Sequence, residues 1–536
     1  MDHNDRISPA EDVFRQPPGT VELLAHGHGA GDGQVTLIPT PSDDPNDPLR
    51  WPAWRKCLNY GLLVAMTTAI FTGLSIQTLF WTQMLEDMDK VTQQDLANAQ
   101  AVQLVGLAIG CVFFIPFAKK YGRRTVYILT IAIAAVSSWW SASMNTVTEL
   151  FLSNMLLGVA GATNQTAIAM SINDIFFVHQ RGTANAMFFG AIMFGSFLTP
   201  MAAGVQGIAD GWRTSYASLA TAMTVLTVVF IGIFEETKFV PAVVRRPAKS
   251  VDDGDSIYKT DSLDAAAKAS ISVVELERGG AAPPKKGKFP RDMRLQLVTK
   301  TDESLWKLTY YPIYSWWFPH VLFTSIQLGS GICWLVVTLT MTSIVFSAPP
   351  YNFDAAGLGY MNAGPCVGSV FGALYGGYFV DKAIVWFSKR NGGWFEPEMR
   401  LWLYPLPAVA MSAGLIIFGV SADRGAHFVI PSIGGALFAF AFGSVSDIAT
   451  ALVLDSFPDI VPQTFVAITF LRNAISMAGP FSVTPWLDHM SVTGMFILAG
   501  CISLGVNLLA LPLVIWGKRA RAAVAPRYYR LSSQGL

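Results

Sequence analysis

The chain has 536 residues, of which 52% are hydrophobic and only 14% charged, whereas an ordinary soluble domain carries about 25% charged residues. With a mean hydropathy of +0.41, this composition excludes a typical soluble enzyme and points to the lipid bilayer as solvent. Lys plus Arg and Asp plus Glu are each 37, so the net charge is zero and no basic excess marks nucleic acid as a partner.

Residues 1–50 are polar and contain Pro17, Pro18, several glycines and the acidic Asp43, Asp44 and Asp47. That is the composition of a disordered tail, and it lacks the basic start and apolar core of a cleaved signal peptide. A helix crossing about 30 Å of hydrocarbon needs about 20 apolar residues. Runs of this kind cover 57–81, 97–118, 126–143, 150–172, 184–204 and 215–234, and form a first six-helix bundle over 51–234. The stretch 235–311 carries the densest charge, including Arg245, Arg246, Lys285, Lys286, Lys288, Arg291 and Arg294, and reads as a soluble linker. Six further runs cover 319–346, 358–380, 401–420, 428–454, 465–481 and 490–516. They form a second bundle over 312–516, and a short tail, 517–536, follows. The expected fold is all-α, with twelve transmembrane helices in two six-helix bundles.

If the runs alternate across the membrane, one side collects nearly all the basic connections. Arg50, Arg55 and Lys56 precede the first run, Lys119, Lys120, Arg123 and Arg124 follow the second, Lys382, Lys389, Arg390 and Arg400 follow the eighth, and Lys518, Arg519 and Arg521 follow the twelfth. The opposite side holds Lys90, Arg213 and Arg424. Cytoplasmic loops carry the basic excess, so both termini and the linker are expected in the cytoplasm.

Cys57, Cys111, Cys333, Cys366 and Cys501 lie in apolar stretches with no CxxC spacing, and the seven histidines fall in the tail or near helix ends. No metal or other cofactor is expected, and no nucleophile and base recur at helical spacing as an enzyme would require. The two halves repeat weakly, a known property of transporter folds. GATNQTAIAMSINDIFF resembles GSVSDIATALVLDSFP, which sets Asp174 opposite Asp455, 281 residues on. In the next run Thr199-Pro200 matches Gly479-Pro480 at an offset of 280.

A charge at bilayer depth costs at least ~2.5–3.5 kcal/mol on insertion scales, so such a residue faces a partner or a wet cavity. Asp447 lies eight residues before Asp455, and Arg472 lies seven beyond the start of the eleventh run. At 1.5 Å per residue both sit about 10 Å deep, and their matching depth permits an ion pair. It is read either as a proton-coupling pair or as a structural one.

The chain resembles the major facilitator superfamily, in particular the fungal twelve-span drug:proton-antiporter-like branch that includes polyamine and histidinol carriers. The resemblance rests on DPLRWPAWRK (47–56), YGRR (121–124), DIFFVHQRG (174–182), EETKFVP (235–241), PPYNFDAAGLGYM (349–361) and GGWFEPEMRL (392–401). The family's loop motif after the second span keeps only Gly122, Arg123 and Arg124 here, because Ile115 and Lys119 replace its first Gly and its Asp. This copy therefore lacks the acidic member of the usual charge lock. The second copy keeps Gly377, Asp381 and Lys382. The Arg that many antiporters carry in the fourth span falls on Asn154, and Gln165 stands where relatives have Glu.

The antiporter pattern of the fifth span falls on Ala186, Gly195, Thr199, Pro200, Ala203 and Gly204. Small residues allow close helix approach and Pro200 bends the helix, which implies either a pliable gating surface or ordinary close packing. In the family the first, fourth, seventh and eighth spans surround the central cavity. This makes Gln77, Asn164, Gln165, Gln327, Trp334 and Asn362 candidates for substrate contacts, against the alternative of helix-to-helix hydrogen bonds.

The resemblance implies a monomeric secondary transporter for a small organic substrate, coupled to protons, in the plasma or the vacuolar membrane. Proton-driven export of an amphipathic compound is the leading reading and symport of an organic cation such as a polyamine the runner-up, because Gln165 replaces the obvious cavity carboxylate. A transporter-like nutrient receptor is a remote third reading. The orientation is directly testable: an N-terminal tag is expected to stay inaccessible to antibody on intact cells and to become accessible on permeabilisation.

Overall fold

The computed structural model describes residues 17–22, 47–88, 90–238, 295–299 and 305–533. Ten helices among these residues are long and apolar enough to cross a membrane. Two further stretches fill the fourth and eighth places: Val147–Ile175, and Ala355–Met361 with its continuation, Ala363–Leu374, Tyr375–Phe379 and Val380–Arg390. The chain is thus an all-α membrane protein.

Local chemistry sets the helix starts. The second span, Gln93–Tyr121, opens on a Thr92/Asp95 capping box and the fourth on a Thr146/Glu149 box, each satisfying two otherwise orphaned N–H donors. Proline stands at the first turn of the seventh, Pro319–Ser347, and of the ninth, Pro405–Asp423, where its missing N–H costs nothing. The first span runs Ala53–Ile76, tightens over Gln77–Phe80 and resumes as Trp81–Asp87. The fifth, Val178–Met193 and Thr199–Ala209, widens over Phe194–Leu198 into a π-helical turn. The tenth covers Val429–Ser456, and the eleventh covers Val461–Ser476 and Ala478–His489, so both exceed the expected runs.

Without a hydrophobic drive between helices in lipid, tight crossings depend on small residues. The second and fourth spans cross where Gly158 would place a Cβ 2.0 Å from the Gln103 carbonyl oxygen and Gly106 one 2.4 Å from that of Met155. In the second half the eighth and tenth spans cross in the same way, with Gly368 2.0 Å from the Ala436 oxygen and Gly372 2.5 Å from that of Phe440. Each half therefore has its own backbone-to-backbone seam.

Both chain ends lie on one face. Arg521 donates to the Pro18 carbonyl (2.5 Å), and Tyr528 donates to Asp459 (2.5 Å). At the opposite face one continuous apolar cluster takes residues from both halves, including Phe80, Trp81, Met88, Trp334, Phe346 and Phe496. Towards the terminal face the core divides. One cluster belongs to the first half apart from Val466, and two lie wholly in the second.

Three expected boundaries shift. Val21–Glu22, inside the segment read as a disordered tail, pairs antiparallel with Trp394–Phe395. The tail after Trp516 is helical, because the twelfth span, Val492–Leu508, continues as Ala510–Ser533. Of the segment read as linker, 235–237 are buried, the exposed stretch 295–299 hydrogen-bonds to the bundle, and Leu305–Tyr314 is a helix, whereas Arg245, Arg246 and Lys285–Arg294 lie outside the described residues. Gly158→Val would drive a side chain into backbone, where overpacking costs about 3 kcal/mol. The monodisperse fraction in detergent is expected to collapse, while Gly505→Val, with nothing within 4 Å, leaves it unchanged.

Candidate functional site

Four of the sequence-predicted interior residues are buried with polar atoms unmatched by the protein. Both amide atoms of Gln77 and of Gln327 lack a partner among the described residues, as do Asn164 Nδ2 and Trp334 Nε1. Asn164 Oδ1 accepts from Thr67 (3.1 Å), and the Trp334 ring stacks on Trp486 at 6.3 Å. A buried, unpaired amide costs about 1–3 kcal/mol, so these heads fit a role toward water or a polar ligand. Asn362 stands where the eighth span breaks, three residues before Pro365, and lines a narrow apolar cleft with Phe197, Thr338, Phe418 and Phe438. The side chain of Gln165 lies outside the described residues.

The structure does not bring Asp447 and Arg472 together. Asp447 packs against the eighth span, where a Cβ on Gly376 would stand 2.8 Å from its own. The Arg472 carbonyl lies beside Gly329 of the seventh span, and its side chain is within electrostatic range of Cys111 in the second. Among the described residues no ion pair joins them. Equal depth left the azimuth open, and each residue projects towards a different neighbour.

The fifth-span motif sits on two crossings. A Cβ on Gly195 would stand 2.6 Å from the Thr68 oxygen of the first span, and one on Gly204 2.4 Å from the Ala355 oxygen of the eighth. Between them Pro200 is buried, and Thr199 donates to the Gly195 carbonyl (2.8 Å) while its hydroxyl meets that of Thr72 at 2.6 Å. The eighth span carries its own π-helical turn, Tyr375–Phe379. The two helices at this seam thus share the same irregularity, a form frequent at functional sites. Gly377 lies inside that turn with nothing within 4 Å of its Cβ position, so Gly376 makes the packing contact.

At the terminal face the charges are organised in a way the sequence reading missed. Glu235 and Glu236 are fully buried. Glu235 binds Arg55 (Nε, 2.6 Å), and its N–H donates to Asn59 (2.8 Å), which ties the end of the sixth span, Trp212–Gly232, to the start of the first. Glu236 accepts from the N–H groups of Arg123 (3.0 Å) and Arg124 (3.2 Å), at the N-terminus of the third span, Arg123–Ser143, where the helix dipole favours an anion. Gly122, at φ 113°, leaves room for that carboxylate: a Cβ there would stand 2.3 Å from Glu236 Oε2.

The charge lock expected to lack its acid has one after all, because Arg123 pairs with Asp174. Its counterpart is Arg400, bonded to Asp455 (2.6 Å) and Asp381 (3.0 Å). Asp174 and Asp455, aligned by the repeat, therefore hold equivalent partners. Lys382 lies over Tyr378 (4.4 Å), and Arg124 donates to the Ile231 carbonyl (2.7 Å). In the second half, fully buried Arg521 grips both oxygens of Glu398 (2.8 and 2.7 Å), and His320 Nε2 stands 3.4 Å from the same carboxylate. Burial pushes the Glu398 carboxyl up, but the His320 and Arg521 contacts outweigh it and hold it at about 2. The signal was present in EETKFVP and GGWFEPEMRL, where the acids sit within a few residues of a proline and an aromatic.

The model of a family described as "Major Facilitator Superfamily" matches residues 61–480. The chain is 27% identical to an uncharacterised MFS-type transporter of Schizosaccharomyces pombe, over 96% of this chain and 94% of that one. It is 25% identical to Protein HOL1 of Saccharomyces cerevisiae, over 91% and 90%, and 23% identical to Efflux pump FUBT of Fusarium oxysporum, over 87% and 73%. Its fold is similar to that of the xylose transporter XylE from E. coli, with a TM-score of 0.55 at 14% identity, over 86% of this chain and 97% of that one.

Removing one member of a buried ion pair costs about 3–5 kcal/mol, so Glu398→Leu and Arg521→Met are each expected to lower the detergent melting temperature more than the double variant does. Because the folded-state Glu398 pKa lies below its ordinary 4.5, its stabilisation is complete above that value and disappears as pH falls towards 2. The same melting assay run from pH 6 to pH 3 should show the wild-type advantage over the double variant shrinking.

Proposed function

Since the chain belongs to the major facilitator superfamily, and is a transporter rather than an enzyme, we propose that it exports an amphipathic small organic compound in exchange for protons. The observation that carries this reading is the set of unmatched buried groups, Gln77, Asn164, Gln327 and Trp334. They are neutral hydrogen-bonding heads set beside aromatic surface, which suits a ligand with both polar and apolar faces. A carboxylate is missing from this set, and that favours export of a neutral or amphipathic solute over uptake of a cation. The Fusarium relative, named an efflux pump, points the same way.

The terminal face is placed in the cytoplasm by its basic connections, with the plasma membrane as the site of action. The face sealed by the shared apolar cluster is then extracellular, and the conformer is inward-facing. Opening outward requires separating Gly204 from Ala355 and Gly359 from Met201, the close approaches between the fifth and eighth spans. The nearby π-helical turn of the fifth span, Phe194–Leu198, supplies slack, since it carries one residue more than an α-turn.

Asp447 is the proposed proton carrier. It packs against Gly376 within the eighth-span π-turn, so gain or loss of its charge acts on the contact between the eighth and tenth spans. Arg472, in the middle of the eleventh span, is assigned to the potential felt by the substrate rather than to pairing with Asp447.

Cells expressing the chain should retain less of the transported compound than cells lacking it, and the difference should vanish when a protonophore collapses the gradient. Asp447→Asn is expected to abolish gradient-dependent export while leaving binding within about twofold, and Gln77→Ala with Gln327→Ala should weaken binding about five- to 150-fold, the loss of two hydrogen bonds at about 0.5–1.5 kcal/mol each. Full export by Asp447→Asn would remove it from the mechanism. Retention that rises on expression would reverse the direction assigned.

A further inference from the structure

The approach to the seventh span carries an uncovered face that the transport reading does not use. The helix Leu305–Tyr314 packs on both the second and the eleventh spans and leads through the turn Ser315–Trp317 to Pro319. Trp306, Tyr310, Ile313, Tyr314 and Trp317 recur at helical spacing and are exposed, Trp306 to 81% and Trp317 to 69%. Rings of that size are costly to leave in water. The headgroup level of a membrane is where tryptophan and tyrosine concentrate, and the start of a span lies at that level.

Beside this face is a narrow cleft lined by Tyr311, Ser315, Ile460, Gln463 and Leu531. Ser315 is 1% exposed, and its hydroxyl has no hydrogen-bond partner among the described residues. A buried hydroxyl left unpaired is destabilising, so Ser315 offers a donor to an occupant of the cleft.

The far wall of the cleft is the last helix, Ala510–Ser533, which has five basic residues beyond Trp516 and no acidic one. Two of the five are engaged by carboxylates, Lys518 by Glu396 (2.5 Å) and Arg521 by Glu398 (2.7 Å). Arg527 is exposed, and its guanidinium lies over the Trp317 ring at 5.7 Å. Leu531, one helical turn further on, lines the cleft, so Arg527 stands at its rim. Asp459, the acid next to Ile460, is satisfied by the hydroxyls of Tyr528 (2.5 Å) and Ser532 (3.2 Å).

We propose that this corner of the terminal face binds an anionic phospholipid, with the phosphate between the Arg527 guanidinium and the Ser315 hydroxyl and the acyl chains along the Trp306–Trp317 face. Cation, buried donor and aromatic surface adjoin in the order that such an amphiphile presents its parts. A free phosphate would satisfy the polar pair and leave the rings bare. A zwitterionic lipid would bring its own cation against Arg527. Basic pockets at the cytoplasmic ends of spans suit anionic headgroups. The inference depends neither on the exported compound nor on the direction of transport.

The test is native mass spectrometry of the delipidated full chain in detergent, titrated with phosphatidylserine and, separately, with phosphatidylcholine of the same acyl chains. The wild type is expected to take its first phosphatidylserine at least about fivefold more tightly than phosphatidylcholine. Arg527→Gln should lose about that factor, the effect of one basic residue near a membrane surface, and Arg527→Lys should keep the preference. Ser315→Ala should weaken phosphatidylserine binding about two- to twelvefold, the loss of one hydrogen bond. Arg519→Gln removes an exposed charge eight residues, about 12 Å, earlier on the same helix, and should leave both affinities as they were. Equal wild-type affinity for the two lipids overturns the inference, as does unchanged phosphatidylserine binding by Arg527→Gln. An equal loss in Arg519→Gln overturns it in favour of diffuse attraction, and displacement of the lipid by equimolar inorganic phosphate in favour of a free-ion site. So does a wild type that takes up neither lipid, the result expected if a second copy or another segment of this chain covers the face. Should Ser315→Ala fail to fold, the exposed Arg527 variants decide the matter.

Discussion

The cost of placing charge in hydrocarbon organises this molecule. With the exception of Asp447, its carboxylates lie towards the helix ends, and at the terminal face they become fasteners. Glu235 joins the first span to the sixth, Glu236 holds the amino end of the third, and Glu398 joins the ninth to the seventh and twelfth. Each is satisfied by more than one donor, the condition under which a buried charge is tolerated. Apart from Asp447 and Arg472, the polar groups of the interior are mainly amides and hydroxyls, which lose less on burial and can exchange a water for a ligand.

This division also separates stiffness from motion. The seams between the second and fourth spans and between the eighth and tenth are backbone against backbone, with no side chain to give way. Such crossings make each half behave as a unit. The seam between the fifth and eighth spans is different in kind, since its close glycine contacts occur near the π-helical turn Phe194–Leu198 of the fifth span. Movement is concentrated where irregular backbone can change length, and Asp447 adjoins the other such turn, Tyr375–Phe379, from the tenth span.

Much of the fold is legible in the sequence, because a span in lipid has to be apolar along its whole length. The repeat is legible too, since Asp174 and Asp455 stand at a near-constant offset. Their shared role is not, because Arg123 and Arg400 lie at a different offset and the lysine at 119 suggests that the lock is lost. Glu235, Glu236 and Glu398 escape a linear reading for a simpler reason. A charge within a polar connection looks solvated until the helices that cover it are placed. The pairing of Asp447 with Arg472 fails on geometry, since hydropathy reports depth but not the direction in which a side chain points. The unmatched state of Gln77 and Gln327 is likewise beyond sequence, which shows an amide but not its missing partner.

Arg521 belongs to the last turns of the chain, yet it neutralises Glu398, which is synthesised more than a hundred residues earlier, and it holds the carbonyl of Pro18 near the very beginning. The Glu398 carboxylate is synthesised before its guanidinium partner and stands beside His320 alone until residue 521 has been made and folded back. A chain released before residue 521 carries that anion without its guanidinium partner, and its amino-terminal segment keeps its pairing with Trp394–Phe395 but lacks the Arg521 contact. The closing of that contact is therefore a chemical difference between copies that contain Arg521 and copies that do not.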